Sequence, residues 1–134
     1  MATRGIRTEK APAPVQGAPY QQGVAATPGE VLWVSGQVPL DPATGALASD
    51  GIAGQARACL AHIRSIVEAA GGTMDDVVKT TVYMLDLAEF GEMNAVYAEA
   101  FGAAPPARAT IGVAALPAGA RVEIEAVAVL GAGA

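Results

Sequence analysis

The chain of 134 residues has room for one domain, because two independent hydrophobic cores would each be unusually small. Hydrophobic residues make up 52% of the sequence and charged residues 16%, a balance that argues against a disordered chain. The net charge is −5 and there is no basic cluster, so the electrostatic contact on which nucleic-acid binding depends is missing. We therefore expect a single folded domain over residues 1–134 that does not bind nucleic acid.

The first predicted elements are a short strand near residues 5–8 and a buried strand over residues 31–35, a continuous apolar run between turn signals. An amphipathic helix follows over residues 52–70, where apolar residues recur at intervals of three and four. Two glycines, residues 71–72, provide its C-terminal stop. Residues 77–85 are rich in β-branched side chains and predict a long strand.

Residues 86–89 resemble a capping box, in which Asp86 accepts hydrogen bonds from early amides and Glu89 reaches back. A second helix follows to about Phe101, and residues 109–114 and 122–130 predict two closing strands. The order is therefore β-β-α-β-α-β-β. Both helices can cover one face of the sheet, which gives a two-layer α+β domain. The apolar residues of the other face need a partner, so we expect a homo-oligomer.

The cysteine and histidine content restricts the chemistry. Cys59 is the only cysteine and His62 the only histidine, so neither an internal disulfide nor a Cys/His zinc site can form. The N-terminus lacks the apolar region of a signal peptide, and no apolar stretch approaches the ~20 residues of a membrane helix. We expect a cytoplasmic protein with no metal site and no membrane contact. Cys59 falls on the apolar side of the first helix and is interpreted as an inert core thiol.

Arg108 is the first candidate for a binding role. Pro105 and Pro106 stiffen the approach to a strand, and a planar guanidinium held in this way can bind a carboxylate through two parallel hydrogen bonds. A solvated arginine at a strand edge is the alternative that the spacing leaves open.

Glu123 and Glu125 form the second candidate group. The period of two places both carboxylates on one face of a strand together with Val127 and Val129. Such a partly buried pair suits general acid–base chemistry. The alternative is the ordinary exposed end of a strand.

Three further residues carry weaker signals. Ser35 ends the buried strand at a position that often lines a cleft, Tyr20 lies in a proline-rich coil that can cover a pocket, and Asn94 lies beside the apolar stripe of the second helix. Each has a structural alternative: a strand-to-turn transition for Ser35, packing on the sheet for Tyr20 and solvent exposure for Asn94.

A series of motifs runs in one order along about residues 14–130. They are Pro19 with Tyr20, residues 34–39, residues 41–45, Gln55 with residues 68–71, residues 76–82, Asn94 with Tyr97, residues 106–108 and residues 122–128. Together they resemble the reactive intermediate deaminase family of Rid or YjgF type.

The resemblance implies a chorismate-mutase-like α+β fold with a mixed sheet, assembled as a homotrimer with pockets between subunits. It also implies metabolite damage control by cofactor-free hydrolysis of enamine and imine intermediates, such as 2-aminoacrylate and 2-iminobutanoate, to 2-keto acids and ammonia. Arg108 would then hold the substrate carboxylate, and Glu123 would position and activate the attacking water. The residues that would line the pocket are Tyr20, Ser35, Asn94 and Thr110, with the main chain near Thr110 orienting the substrate.

Three departures from the family pattern bear on substrate preference. Ala18 is an extra residue before Pro19 and Tyr20, Gln21 stands where serine is frequent, and Thr110 stands where serine or cysteine is usual. We expect these changes to shift Tyr20 and reshape the pocket. Two alternatives stay open: a non-catalytic trimer that binds small carboxylates or acts as a chaperone, since one fold serves several functions, and a relative acting on another reactive intermediate.

Overall fold

The computed structural model describes residues 3–27 and 29–131, so the predicted domain 1–134 includes six residues outside the described part. The elements in chain order are β1 (Thr3–Ile6), β2 (Gly23–Ala26), β3 (Val31–Gln37), α1 (Ile52–Ala69), β4 (Val77–Met84), α2 (Phe90–Phe101), β5 (Ala107–Gly112) and β6 (Val122–Val129).

The main sheet is mixed and has the strand order β3-β6-β4-β5. β6 pairs antiparallel with both β3 and β4, whereas β4 and β5 are parallel. A parallel pair needs a crossover, and α2 provides it. β1 and β2 form a separate antiparallel ribbon, and Gln21, in the coil just before β2, forms a bridge with Ala107 of β5. This arrangement confirms the two-layer α+β class with a mixed sheet.

Both helices pack their apolar sides on the same face of the main sheet. Ile63 and Val67 of α1 and Met93 of α2 are fully buried there, against Val82 and Ile124 of the sheet. α1 ends one residue before its predicted boundary, and α2 ends at Phe101 as predicted. No helix within residues 3–27 and 29–131 is long and apolar enough to cross a membrane.

β3 corrects the prediction of a buried strand. Its side chains alternate: Val34 is 5% exposed and lies under the helices, whereas Trp33 is 75% exposed. The reason is that the helices cover only one face of the sheet, so half of an apolar run stays outside the core. We call the uncovered surface the open face; its apolar residues are Val31, Trp33, Ile111, Val127 and Val129.

Two short strands differ from their predicted positions, and one was not predicted. The first strand lies at Thr3–Ile6 instead of residues 5–8, and β5 begins at Ala107 rather than residue 109. β5 starts earlier because its pairing with β4 begins directly after Pro106, where Ala107 lies opposite Lys79. β2 escaped prediction because it is short, rich in small residues and paired only with β1 along its length.

The predicted capping box is half wrong. Asp86 accepts a hydrogen bond from the Ala88 amide at 2.9 Å, as expected, but Glu89 Oε2 accepts from the Arg121 guanidinium at 2.9 Å instead of reaching back. A complete capping box lies earlier, between Thr73 and Asp76. It fixes the turn that leads into β4.

Candidate active site

A cavity of about 490 Å³ opens where β5, the start of α2 and the coil before β2 come together. Its wall combines apolar and polar side chains, as small-molecule sites commonly do. The lining residues are Val15, Gln16, Tyr20, Leu87, Phe90, Arg108, Ala109 and Thr110. Three residues singled out from the sequence, namely Tyr20, Arg108 and Thr110, therefore meet at one cavity.

Arg108 reaches this cavity from the helix-covered face of β5. It pairs with Thr80 of β4, whose side chain is fully buried under the helices. Arg108 itself is only 8% exposed, which excludes the alternative of a solvated strand-edge arginine. Its Nε, Nη1 and Nη2 atoms are buried and have no hydrogen-bond partner among the described residues.

Three aromatic rings surround the guanidinium. The Arg108 Cζ atom lies 4.7 Å from the ring centroid of Tyr97, 5.2 Å from that of Tyr20 and 5.6 Å from that of Phe90. Each ring lies within the range of a cation–π contact and attracts the positive charge. A contact with a ring face does not use the N–H hydrogen bonds of a guanidinium. Two parallel N–H groups of Arg108 can therefore still bind a carboxylate.

The electrostatics favour an anion at this position. Burial lowers the pKa of Arg108 from its ordinary value, while Tyr97 and Tyr20 act in the opposite direction. A buried cation without an anionic partner is costly, and a ligand carboxylate would provide both countercharge and hydrogen-bond acceptors. The cavity is therefore chemically suited to a small carboxylic acid.

Tyr97 connects the guanidinium to the core. Its hydroxyl and that of Thr80 share a hydrogen bond of 2.6 Å in the buried layer between α2 and β4. Burial raises the pKa of Tyr97 to about 12, so the side chain stays a neutral phenol at physiological pH. The ring is thereby fixed next to the Arg108 guanidinium.

The variant Tyr97→Phe tests this contact. It leaves the Thr80 hydroxyl buried without its partner, so we expect the free energy of unfolding to fall by about 1–3 kcal/mol. Urea denaturation measures the change. In the double variant Thr80→Val/Tyr97→Phe both polar groups are gone, and much of the lost stability should return. If Thr80→Val lowered the free energy of unfolding of the Tyr97→Phe protein by a further ~1–3 kcal/mol, the result would contradict the shared hydrogen bond.

Asn94 and Thr110 add unpaired acceptors on the same side of the sheet. The Thr110 Oγ1 and Asn94 Oδ1 atoms are both buried, and neither has a hydrogen-bond partner within the described part of the chain. Asn94 lies four residues after Phe90 and three before Tyr97 on α2, so helical spacing places it on the side that faces Arg108.

Glu123 and Ser35 lie on the other side of the sheet. Val122 and Ile124 point into the core, so Glu123 between them points to the open face, where Ser35 of β3 also lies. The Glu123 carboxylate rests against Gly36, where a Cβ atom would overlap its Oε2 atom. Within one protomer the sheet therefore separates the carboxylate of Glu123 from the guanidinium of Arg108.

Glu125 differs from its neighbour on β6 in having a partner. The Tyr83 hydroxyl donates a hydrogen bond of 2.8 Å to Glu125 Oε1, and this bond raises the pKa of Tyr83. The two carboxylates share the open face, as the period of two predicts, but Glu125 is held in a cross-strand pair.

Cys59 and His62 lie apart from the cavity. Cys59 is fully buried beneath β6, and burial raises the pKa of its thiol to about 12, as suits a core residue. His62 Nε2 is 2.7 Å from the carbonyl oxygen of Leu40. Over residues 3–27 and 29–131, no three His, Cys, Asp or Glu side chains cluster closely enough to hold a metal ion.

Sequence reasoning missed the aromatic surroundings of Arg108. The helical periodicity of α2 predicts buried positions for Phe90 and Tyr97 but gives no sign that their rings contact an arginine. The signal that could have found them is their spacing around Asn94. Leu87, Val15 and Gln16 carry no local signal, because they reach the cavity from a turn and a coil.

The comparisons with known proteins agree on one family. A family model described as Endoribonuclease L-PSP matches residues 8–130. The 2-iminobutanoate/2-iminopropanoate deaminase of Salmonella typhimurium is 47% identical over 131 residues, which cover 95% of this chain and 98% of that protein. A RutC family protein of Pyrococcus horikoshii is 46% identical over 123 residues, covering 92% of this chain and 94% of its own.

A solved structure gives the same result for the fold. YyfB of Yersinia pestis, described as a protein of unknown function of the conserved Rid family, aligns with a TM-score of 0.86 at 30% identity. The alignment covers 97% of this chain and 100% of YyfB. With a family model that spans nearly the whole sequence, this confirms the resemblance drawn from the motifs: the chain belongs to the Endoribonuclease L-PSP family of YjgF and Rid proteins.

Proposed function

We propose that this protein hydrolyses 2-imino and 2-enamino acids, such as 2-iminobutanoate and 2-aminoacrylate, to 2-keto acids and ammonia without a cofactor. The observation that carries the proposal is the buried Arg108 guanidinium, which borders the cavity with its N–H groups unpaired among the described residues. These substrates all carry a carboxylate beside the reacting carbon. The activity named for the Salmonella relative supports the same substrate class. We place the reaction in the cytoplasm, where a lone reduced cysteine is expected.

We further propose that the working protein is a homotrimer with its sites between subunits. The open face carries exposed apolar side chains, above all Trp33 at 75% exposure, and a surface of this kind marks an interface. Glu123 and Ser35 lie on this face, whereas the Arg108 side chain borders the cavity on the other side of the sheet. An arginine and a glutamate from different subunits can then meet across a seam.

In the proposed mechanism Arg108 binds the substrate carboxylate through two hydrogen bonds and thereby fixes the imine carbon. An enamine first becomes the imine as its terminal carbon takes up a proton from water and its nitrogen releases one. Glu123 of a neighbouring subunit accepts a proton from water as the water oxygen bonds to the imine carbon. Glu123 returns that proton to the nitrogen, which gives a tetrahedral carbinolamine. Glu123 then passes the proton of the carbinolamine hydroxyl to the nitrogen as the C–N bond breaks, so that ammonia and the 2-keto acid leave. Such proton transfer contributes ~10²–10⁴-fold to the rate.

A coupled assay tests the proposed function. Threonine dehydratase generates 2-iminobutanoate, semicarbazide traps the free imine, and release of 2-oxobutanoate reports hydrolysis. We expect this protein to accelerate the release and to suppress semicarbazone formation. Binding of 2-oxobutanoate without any acceleration would overturn the proposed enzyme and favour a non-catalytic protein that binds small carboxylates.

The family description names an endoribonuclease activity, but the charge distribution of this chain does not favour RNA binding. The net charge is −5 and no three basic residues adjoin in the sequence. The arginine at the cavity is buried among aromatic rings instead of lying on a basic surface that could follow a phosphate backbone.

The variant Trp33→Glu tests the proposed assembly. A carboxylate within the proposed apolar interface loses the burial of the indole ring and adds the desolvation of a charge, so assembly should require roughly 100-fold more protein. Sedimentation velocity measures the shift, and deaminase activity at low concentration should fall with it. Ile6→Glu, at a 40% exposed apolar residue on β1, is the control and should assemble normally. A Trp33→Glu protein as fully assembled as its parent would refute the proposed interface.

A further inference from the structure

Gln21 joins the segment that carries Tyr20 to the segment that leads into Arg108. Its backbone N–H donates to the carbonyl oxygen of Pro106 at 3.2 Å, and its side-chain Nε2 donates to the carbonyl oxygen of Pro105 at 2.8 Å. Both acceptors precede the start of β5. One residue therefore holds two neighbouring carbonyl groups of a segment 84 positions away in the chain.

Tyr20, whose ring lies 5.2 Å from the Arg108 Cζ atom, immediately precedes this link in the chain. It lies near the end of the long coil between β1 and β2, and its hydroxyl accepts a hydrogen bond of 2.8 Å from the Val15 amide within that same coil. That bond ties the coil to itself and not to β5. The next residue, Gln21, makes the hydrogen bonds that tie the coil to the proline segment, and its bridge to Ala107 reaches the residue beside Arg108.

Gly5 of β1 leaves room for the Gln21 side chain. A Cβ atom at Gly5 would overlap Gln21 Oε1, so the amide group lies directly against the glycine backbone. The Gln21 amide is therefore confined on one side by the β1–β2 ribbon and bound on the other to Pro105. Gly5 is not among the described residues that line the cavity.

We propose that Gln21 is a positioning residue that holds the Tyr20 ring over Arg108 and so sets the affinity of the site for carboxylates. Its consequence for substrate binding rests on the proposed function, whereas its effect on the Tyr20–Arg108 contact does not. When the hydrogen bond to Pro105 is lost, the coil that bears Tyr20 loosens and water reaches the guanidinium. A hydrated guanidinium binds an anion more weakly, because the local dielectric constant rises.

The test compares three variants. Gln21→Met keeps the length of the side chain and removes its donor. Gly5→Ala displaces the Gln21 amide from a position that is not part of the cavity lining. Gln22→Met is the matched control. The Gln22 side chain donates to the carbonyl groups of Thr8, Ala11 and Pro12 and accepts from the Thr8 amide, so it makes no bond to the segment before Arg108.

The first readout is the Arg108 Nε–H resonance in NMR spectra of the assembled protein, which the nearby ring currents displace. We expect Gln21→Met and Gly5→Ala to move this resonance in the same direction as Tyr20→Leu, and Gln22→Met to leave it in place. This readout needs neither ligand nor turnover, so it tests the positioning role even if the proposed function fails.

The second readout is binding of 2-oxobutanoate by calorimetry. We expect about tenfold weaker binding in Gln21→Met and in Gly5→Ala, with no further loss when the two are combined, because both act through one hydrogen bond. In the coupled assay KM should rise by about the same factor while kcat stays within roughly twofold. An unchanged Arg108 resonance in Gln21→Met, or additive losses in the combined variant, would overturn the proposal.

Discussion

The variant Arg108→Met should lose carboxylate binding and still fold. A buried bidentate contact between a guanidinium and a carboxylate contributes about 3 kcal/mol or more, so the dissociation constant for 2-oxobutanoate should rise at least about 100-fold. Deaminase activity should disappear with it. The melting temperature should stay at or above that of the parent, because the variant removes a cation that is 8% exposed and unpaired among the described residues.

Two comparisons make this expectation specific. Arg108→Lys keeps the charge but cannot form the two parallel hydrogen bonds or lie as a flat group against the aromatic rings, so binding should stay weak. Arg57→Met is the control: Arg57 lies on α1 with an exposed side chain, 3.5 Å from Glu99, and should change neither binding nor stability noticeably. If Arg108→Met binds 2-oxobutanoate like the parent, Arg108 is not the anchor.

Glu123→Gln should abolish turnover and leave carboxylate binding intact. The amide cannot accept the proton of the attacking water, so kcat should fall by about 10²–10⁴-fold, while the dissociation constant for 2-oxobutanoate changes less than about threefold. The coupled assay and calorimetry measure the two effects separately. Glu125→Gln is the matched control on the same strand, since Glu125 accepts the Tyr83 hydroxyl and should tolerate an amide. Equal losses of binding and turnover in Glu123→Gln would contradict separate roles.

Mixing the two inactive proteins then tests which chain provides each group. Arg108→Met subunits retain Glu123, and Glu123→Gln subunits retain Arg108. In the proposed trimer, a mixed assembly can therefore contain intact sites only between unlike subunits. Random exchange of equal amounts should restore about one quarter of the parental activity. Dissociation at low concentration followed by joint reassembly prepares the mixture. If reassembly restores no activity, although both variants form trimers, the site is not shared between subunits.

The parts of the fold that local patterns determine were predictable. The apolar repeat of α1 and the β-branched run of β4 each specify one element, and the alternation along β6 specifies which residues lie in the core. β2 could not be predicted in this way, because its four residues, Gly23–Ala26, gain their strand conformation from pairing with a distant segment. The same holds for β5, whose first residue is set by its register against Lys79.

The candidate site was predictable only in part. Spacing left Arg108 open between a solvated edge and a binding role, and its burial beneath α2 decides between them. Arg108 is buried because it pairs with Thr80 of β4 and because Tyr97 of α2 packs against both residues. No local sequence pattern contains either contact. That Glu123 and Glu125 share one face followed from the period of two. The proposed meeting of Glu123 with an arginine of another subunit lies beyond any pattern within one chain.

The position of the single tryptophan gives the protein an internal optical probe. Trp33 is the only tryptophan in the sequence, and three quarters of its surface is exposed on the open face of an isolated protomer. If that face is covered on assembly, the indole moves from water into an apolar contact, and its emission shifts to shorter wavelength. A dilution series followed by fluorescence would then yield the association constant without any label, and a titration with 2-oxobutanoate would show whether a bound acid tightens the seam.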